Sequence, residues 1–367
     1  MNQRPLYSCL SRLACGISVA VAGCGGGDTP APTNQITVKS GGSIQAAVDA
    51  AKDGYTILVE PGLYHESIDV AKERALKKLT LRGMISGSDR AVLDGEGQRQ
   101  NGMFFAGVAG VTVEGFAVKN FKENGIWFGQ SSDIVVRNVV VEATGKYGIF
   151  PQEAVNATVE KSSVTRCADA GIYVGQSMGQ LLVQDNEVFG NVAGIECENS
   201  LDCMIRRNHS YNNTNGVLVF TLPHLVRKDC KRAQITDNTI ENNNTANFAN
   251  SHDIVFNVPP GGGVTIIGAT DVLVSKNVIR GNSSYAAAIV SLKELTGTDP
   301  IDVDPLPQND RVTDNTVSGN GTVDFMFLNQ KFTAGDFAYD ATGSGDCQAN
   351  NGIAAPRWVL APLDTCK

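Results

Sequence analysis

The amino-acid sequence predicts an all-β solenoid, a right-handed single-stranded parallel β-helix of roughly ten coils with an N-terminal capping helix. The first observation is a period. Gly followed by Ile, Val or Met recurs at Gly102, Gly125, Gly148, Gly171, Gly194 and Gly216, at spacings of 23, 23, 23, 23 and 22, and resumes at Gly263. The second is a marker in step with it: Asn-x4-Asn pairs begin at Asn186, Asn208, Asn238, Asn277 and Asn315. The third is alternation around each Asn, as in "LLVQDNEV" and "VLVSKNVI", which means strands with one face buried. A repeat of 23 residues holds three short strands and their turns but no crossover helix. Successive repeats must then stack strand on strand about 4.8 Å apart, with like positions superposed. The connection rule for parallel strands sets the right hand.

Along the chain, residues 1–23 read as an export signal. Arg4 and Arg12 precede an apolar run from Leu13 to Ala22, and Val21-Ala22-Gly23-Cys24 resembles the lipobox of bacterial lipoproteins. That resemblance implies cleavage after Gly23 and a lipid on Cys24, and Gly25 in place of Asp implies the outer membrane, facing periplasm or cell surface. Residues 24–36 are a flexible Gly/Pro/Thr tether. "GGSIQAAVDAAKDG" reads as a helix over 43–51, with Ser43 as N-cap and Ile44, Ala47, Val48 and Ala51 on one face. It would close the open end of the solenoid, where bare strand edges invite aggregation. The coils occupy residues 37–345, and residues 346–367 form a C-terminal cap. Cys347 and Cys366 flank that tail, and pairing them would stabilise by about 3 kcal/mol in the chain-entropy model. Cys167, Cys197, Cys203 and Cys230 cannot be paired from sequence.

Composition excludes several classes. No segment after the signal approaches the ~20 apolar residues of a membrane helix, so the lipid is the expected membrane link. The net charge of −8 comes without a basic stripe, which argues against nucleic acid. A monomer is expected. The four histidines lie far apart without zinc spacing, and no metal is assigned. Asp299, Asp302 and Asp304 have oxygen donors for calcium but lack the fixed pattern of a known loop, so no cofactor is assigned.

"GIYVGQSMGQ" contains Gly175-Gln176-Ser177-Met178-Gly179, the G-x-S-x-G of a nucleophile elbow. Aligned by Gly-Ile, the same turn recurs two coils earlier as Gly129-Gln130-Ser131, and "LLVQDNEV", a strand, follows Ser177 where an elbow needs a helix. Ser177 is a turn residue.

At "YGIFPQE", "DAGIYVGQS", "GIECENS" and "NNTNGVLVFTLP", in successive coils, the chain resembles the right-handed parallel β-helix repeat family of exported bacterial lipoproteins. The resemblance runs from about Ile44 to Asn320 and implies a fold and an export route; that subgroup has no established activity. Pectate lyases, polygalacturonases and alginate epimerases resemble it distantly in fold. Where the epimerases carry Tyr-Gly-x-Asp-Pro-His, this chain has Tyr147-Gly148-Ile149-Phe150-Pro151-Gln152. Phe150 and Gln152 replace the acid and the histidine, which places the same chemistry in doubt.

Stacking the strands after each Gly-Ile gives an outer column of Trp127, Phe150, Tyr173, Glu196 and Leu218. Beside it run Gln152 and Glu198, flanked by Glu153, Gln176 and Asn199. Aromatics on an outer face are a platform for sugar rings, and amides and carboxylates bond hydroxyls. Glu196 and Glu198 share a face about 7 Å apart, a spacing at which carboxylates serve as acid and base, and Tyr173 is a proton donor one coil away. Arg166, Arg206 and Arg207 are the candidates to neutralise a uronate. This column predicts a protein that binds or processes a polysaccharide as lyase, epimerase or hydrolase. The alternative is a non-catalytic scaffold or partner-binding module. The two separate at the face itself: aromatics buried under the 244–262 insertion would remove the glycan platform and favour the second.

Overall fold

The computed structural model describes residues 34–296, 300–327 and 330–367. Cys24 and the signal, most of the tether, and Asp299 of the acidic loop lie outside the described residues.

Three parallel sheets wind into a right-handed β-helix. The first has thirteen strands, from Gln35–Val38 to Asp364–Thr365; the second has ten, with Ile85–Ser86 added antiparallel beside one of them, and the third eleven. The first sheet thus exceeds the expected ten coils and spans about 58 Å at 4.8 Å per strand. The extra strands come from the ends. Gln35–Val38 pairs with Thr56–Val59, so part of the expected tether is already sheet. The expected C-terminal cap continues the coils, with Cys347–Ala349 and Asp364–Thr365 in the first sheet and Trp358–Leu360 in the third. Cys347 and Cys366 are joined by a disulfide.

The register is that of the repeat. Ile126, Ile149, Ile172, Ile195, Val217 and Val264 are successive partners in the third sheet, all fully buried. The preceding glycine is required by close approach. A Cβ on Gly194 would lie 2.4 Å from the carbonyl oxygen of Gly216, and one on Gly216 2.6 Å from that of Gly263.

The Asn pairs build two internal ladders. Asn186, Asn208, Asn238, Asn277 and Asn315 each donate from the side-chain amide to the next Asn at 2.8–3.0 Å, ending on Asn351. A second ladder runs Asn191, Asn213, Asn243, Asn282, Asn320 at 3.0 Å per step. Each amide also serves buried turn backbone that would otherwise lack a partner.

Helix α1 (Ile44–Ala50) buries Ile44, Ala47 and Val48 against the first coils. Ser43 caps it by accepting from the Ala46 N–H. Glu66 adds a second cap, accepting from the Ile44 N–H at 2.6 Å and the Gln45 N–H at 3.2 Å, where the helix dipole favours negative charge. Ser177 is fully buried; its hydroxyl accepts from the Ala154 N–H and donates to the Gly175 carbonyl, so it is part of the turn.

Candidate functional site

The site lies on the outer face of the third sheet. In Ala193–Glu198, Ile195 and Cys197 fill the interior, so Glu196 and Glu198 project outward. Register places Tyr173 beside Glu196 in the preceding coil and Leu218 and Phe220 beside the two acids in the next.

The outer face is not open to solvent. Phe150 is 6% exposed and Tyr173 7%, and four successive strands of this sheet, Ala170–Gly175 to Gly262–Ile267, are buried on both faces. The 244–262 insertion packs Val255 and Val258 onto Phe150, Tyr173, Leu218 and Phe220, and a second, acidic insertion over 291–310 adds Leu292, Leu295 and Ile301. Only Trp127 stays half-exposed, stacked between Phe104 and Phe150. The expected sugar-stacking platform is therefore roofed. The physical reason is area: a column of large rings is covered by whatever apolar insertion can reach it.

The residues expected to bind substrate are spent on the protein. Gln152 accepts from the Trp127 indole at 3.1 Å, and Glu153 from Gln130 at 2.9 Å. Gln176 accepts from the Val226 N–H at 2.9 Å. Asn199 donates to the Leu222 and Arg227 carbonyls and accepts from the Leu222 N–H. These last two pin in place a third insertion, the basic segment 221–234. Asp302 ties that insertion to the acidic one through Lys228 and the His224 N–H, and Asp304 accepts from Gln308 and the Leu306 N–H. Asp302 and Asp304, whose oxygens could serve calcium, are thus already paired.

Beneath the roof a partly open cleft of about 150 Å³ runs along the sheet. At one end Tyr147, Asp169, Tyr173 and Glu196 line it, and the remaining wall is almost wholly apolar. The Tyr147 ring stacks on Tyr173 at 4.3 Å, and its hydroxyl hydrogen-bonds Asp169. Burial, with repulsion from Asp253 on the roof, pushes Asp169 up to about 7. Burial and Asp169 push Glu198 up to about 8 and hold Glu196 well above the usual carboxylate range. Neither glutamate has a hydrogen-bond donor among the described residues. The expected uronate-neutralising arginines are elsewhere: Arg166 pairs with Glu142, Arg207 with Asp185, and Arg206 donates to Gln184.

Fold and site together define a lidded parallel β-helix of the solenoid class. The chain belongs to the NosD family, described as periplasmic copper-binding proteins, whose family model matches residues 80–282. A periplasmic family agrees with the export expected from the N-terminal sequence. No individual curated protein matches the chain. Among solved structures it is similar to the A-module of Azotobacter vinelandii mannuronan C-5 epimerase AlgE6, with 18% identity and a TM-score of 0.55 over 88% of this chain and 94% of that one. The AlgE4 A-module of the same organism gives 15% and 0.52, over 87% and 95%. DFA-IIIase from Arthrobacter chlorophenolicus A6 gives 12% and 0.54, over 92% and 99%. At these identities the likeness is one of fold.

The donor set does not fit a copper centre. Copper takes imidazole and sulfur ligands. His65, His209 and His224 each face a different carboxylate, Glu96, Glu241 and Asp302, and His252 sits apart on the roof insertion. Cys197 and Cys230 do approach, Sγ to Sγ 3.9 Å, with Cys203 beside them. All three are sealed in the core, and hydrogen bonding among them together with burial holds the Cys197 thiol protonated, whereas a ligand must be thiolate. Among the described residues no group of three His, Cys, Asp or Glu is arranged to hold a metal ion.

Proposed function

We propose that this chain is a periplasmic, monomeric binding protein that captures an apolar ligand in the lidded cleft of its third sheet. One observation carries this reading: the cleft is walled by Leu218, Phe220, Ile267 and Val290 and roofed by two insertions that the repeat does not require. Insertions placed over one face of a solenoid are where such folds build binding sites. The test is titration with the environment-sensitive probe N-phenyl-1-naphthylamine. Saturable one-to-one fluorescence enhancement is expected, weakened about tenfold in Ile254→Asp, which places a charge on the cleft rim. Absence of saturable enhancement would remove the reading.

A second reading, processing of a polysaccharide, is favoured by Glu196, Glu198 and Tyr173 lying together, with burial and Asp169 raising the pKa of both glutamates. It calls for a neutral glycan, because no arginine faces the acids. Release of reducing ends from a panel of neutral polysaccharides, lost in Glu196→Gln, would support it over capture alone. The lipobox supports anchoring through Cys24, with the outer membrane as destination. Wild-type protein should then enter the detergent phase of a Triton X-114 extraction while Cys24→Ala stays in the aqueous phase; identical partition would rule the anchor out.

A further inference from the structure

Glu196 is an anomaly in an otherwise apolar cleft. It is 3% exposed, it lines the cleft, and it accepts no hydrogen bond from any described residue. Leaving a buried polar group without a partner costs about 1–3 kcal/mol, more for a charge. Asp169, also buried on the cleft wall, has the Tyr147 hydroxyl as its side-chain partner. Lys146 acts on Asp169 as a cation, and Asp253 and Glu198 add negative charge nearby.

From this polar end the lining is mostly apolar; its other polar members are Thr265, Tyr285 and Asp340, and Asp340 already accepts from the Ser291 N–H and from the Thr342 N–H and hydroxyl. Phe325 and Phe332, on a short hairpin, close the far part, and Val359 and Leu360 belong to the last coil. Six strand spacings separate Ala170–Gly175 from Trp358–Leu360, about 29 Å at 4.8 Å each. The rim is apolar as well: Ile254 is 47% and Leu360 62% exposed, with Phe256 and Met326 also exposed. A long, mostly apolar channel with the unpartnered Glu196 carboxyl at one end is complementary to a molecule divided in the same way.

We propose that the cleft binds a single-chain amphiphile with an uncharged, hydroxyl-bearing head, the head meeting Tyr147, Asp169 and Glu196 and the chain lying along Leu218, Phe220 and Ile267 toward Phe332. This rests on the binding function proposed above and adds the chemical class of the ligand. An anionic head would meet the buried carboxyls of Asp169 and Glu196, with Glu198 close by, and no arginine among the described residues that line the cleft. A cationic head would have to expel the protons that burial keeps on those acids. Hydroxyl groups need neither, since each donates to a bare carboxyl oxygen and accepts from a protonated one.

The test is calorimetric titration of the full chain with dodecyl maltoside below its micelle concentration, beside octyl maltoside, maltose, dodecyl sulfate and dodecyltrimethylammonium. One-to-one binding of dodecyl maltoside is expected, with octyl maltoside on the order of 100-fold weaker for the loss of four methylenes. Maltose and dodecyl sulfate should not bind measurably. Glu196→Leu should weaken dodecyl maltoside at least tenfold while N-phenyl-1-naphthylamine binding persists, which shows the cleft intact. Ile254→Ser, a surface change that folding tolerates, should weaken both about fivefold. Dodecyltrimethylammonium binding as tightly as the maltoside, with proton release, would overturn the assignment of the head. So would unchanged maltoside affinity in Glu196→Leu. Failure of the naphthylamine probe as well would overturn the binding function itself.

Discussion

Glu198 shows how strongly position in the fold acts on one side chain. The glutamate is 4% exposed beside Asp169 and without a donor, and its acidity is displaced to about 8. A carboxyl whose folded pKa lies above its unfolded one binds more protons in the native state than in the unfolded state at intermediate pH. Its stabilising contribution is therefore complete below the unfolded pKa near 4 and is lost as pH rises toward 8. Asp169, raised to about 7, acts in the same direction. Stability should fall between about pH 4 and pH 8. Glu198→Gln, which keeps the shape and removes the titration, should raise the melting temperature at pH 8 by about 2 °C or more and do little at pH 4. Thermal denaturation followed by circular dichroism at the two pH values measures the difference; a variant that melts with the wild type at pH 8 would show that Glu198 is ionised without penalty.

Among the elements, the Asn ladder is the most cooperative. Asn208 accepts from the Asn186 N–H and amide at 3.1 and 3.0 Å, and donates to the Val183 carbonyl and Asn238 at 2.9 and 3.0 Å. Removing its side chain strands several buried groups in two coils at once. Asn208→Ala should cost about 3 kcal/mol or more. Asn208→Asp keeps the acceptor but loses the donors and faces the Asn238 oxygen, so it should not rescue. Urea unfolding monitored by tryptophan fluorescence gives both values, and a loss under 1 kcal/mol in Asn208→Ala would mean that water replaces the amide. The strand that carries the acids was legible through the same repeat. Aligning "GIECENS" under "GIYVGQS" puts Glu196 beside Tyr173, as the register has it. Asp169 and Tyr147 were not nominated. The alignment that superposes Gly148 on Gly171 also superposes the turns before them, which brings Tyr147 and Asp169 to one place, but a turn residue carries no strand alternation to mark which way it points.

For the whole molecule, the disulfide bears on how the solenoid ends. Cys347–Cys366 closes the last turns of the first sheet, where each coil is held by one neighbour only. Cys347→Ser should release about 3 kcal/mol of constraint locally. Limited trypsin digestion should then cut at Arg357 well before the coils open, with the remaining coils still resistant; equal resistance of variant and wild type would place the stability of this end in the strands. What repeats along the chain was open to sequence reading. Period, inward columns, the capping helix and the Asn ladders follow from local alternation and constant coil length, because a solenoid contact joins residues one repeat apart. The site was open only in part. The column Trp127, Phe150, Tyr173, Glu196 was read correctly in order, but whether it lay open or covered was left between two readings, since the 244–262 and 291–310 insertions have no repeat to register them. Where they fold over, and that they turn a solvent face into a roofed cleft with acids at one end, is settled by non-local apolar packing of Val255, Val258 and Leu292 onto rings more than 70 residues away.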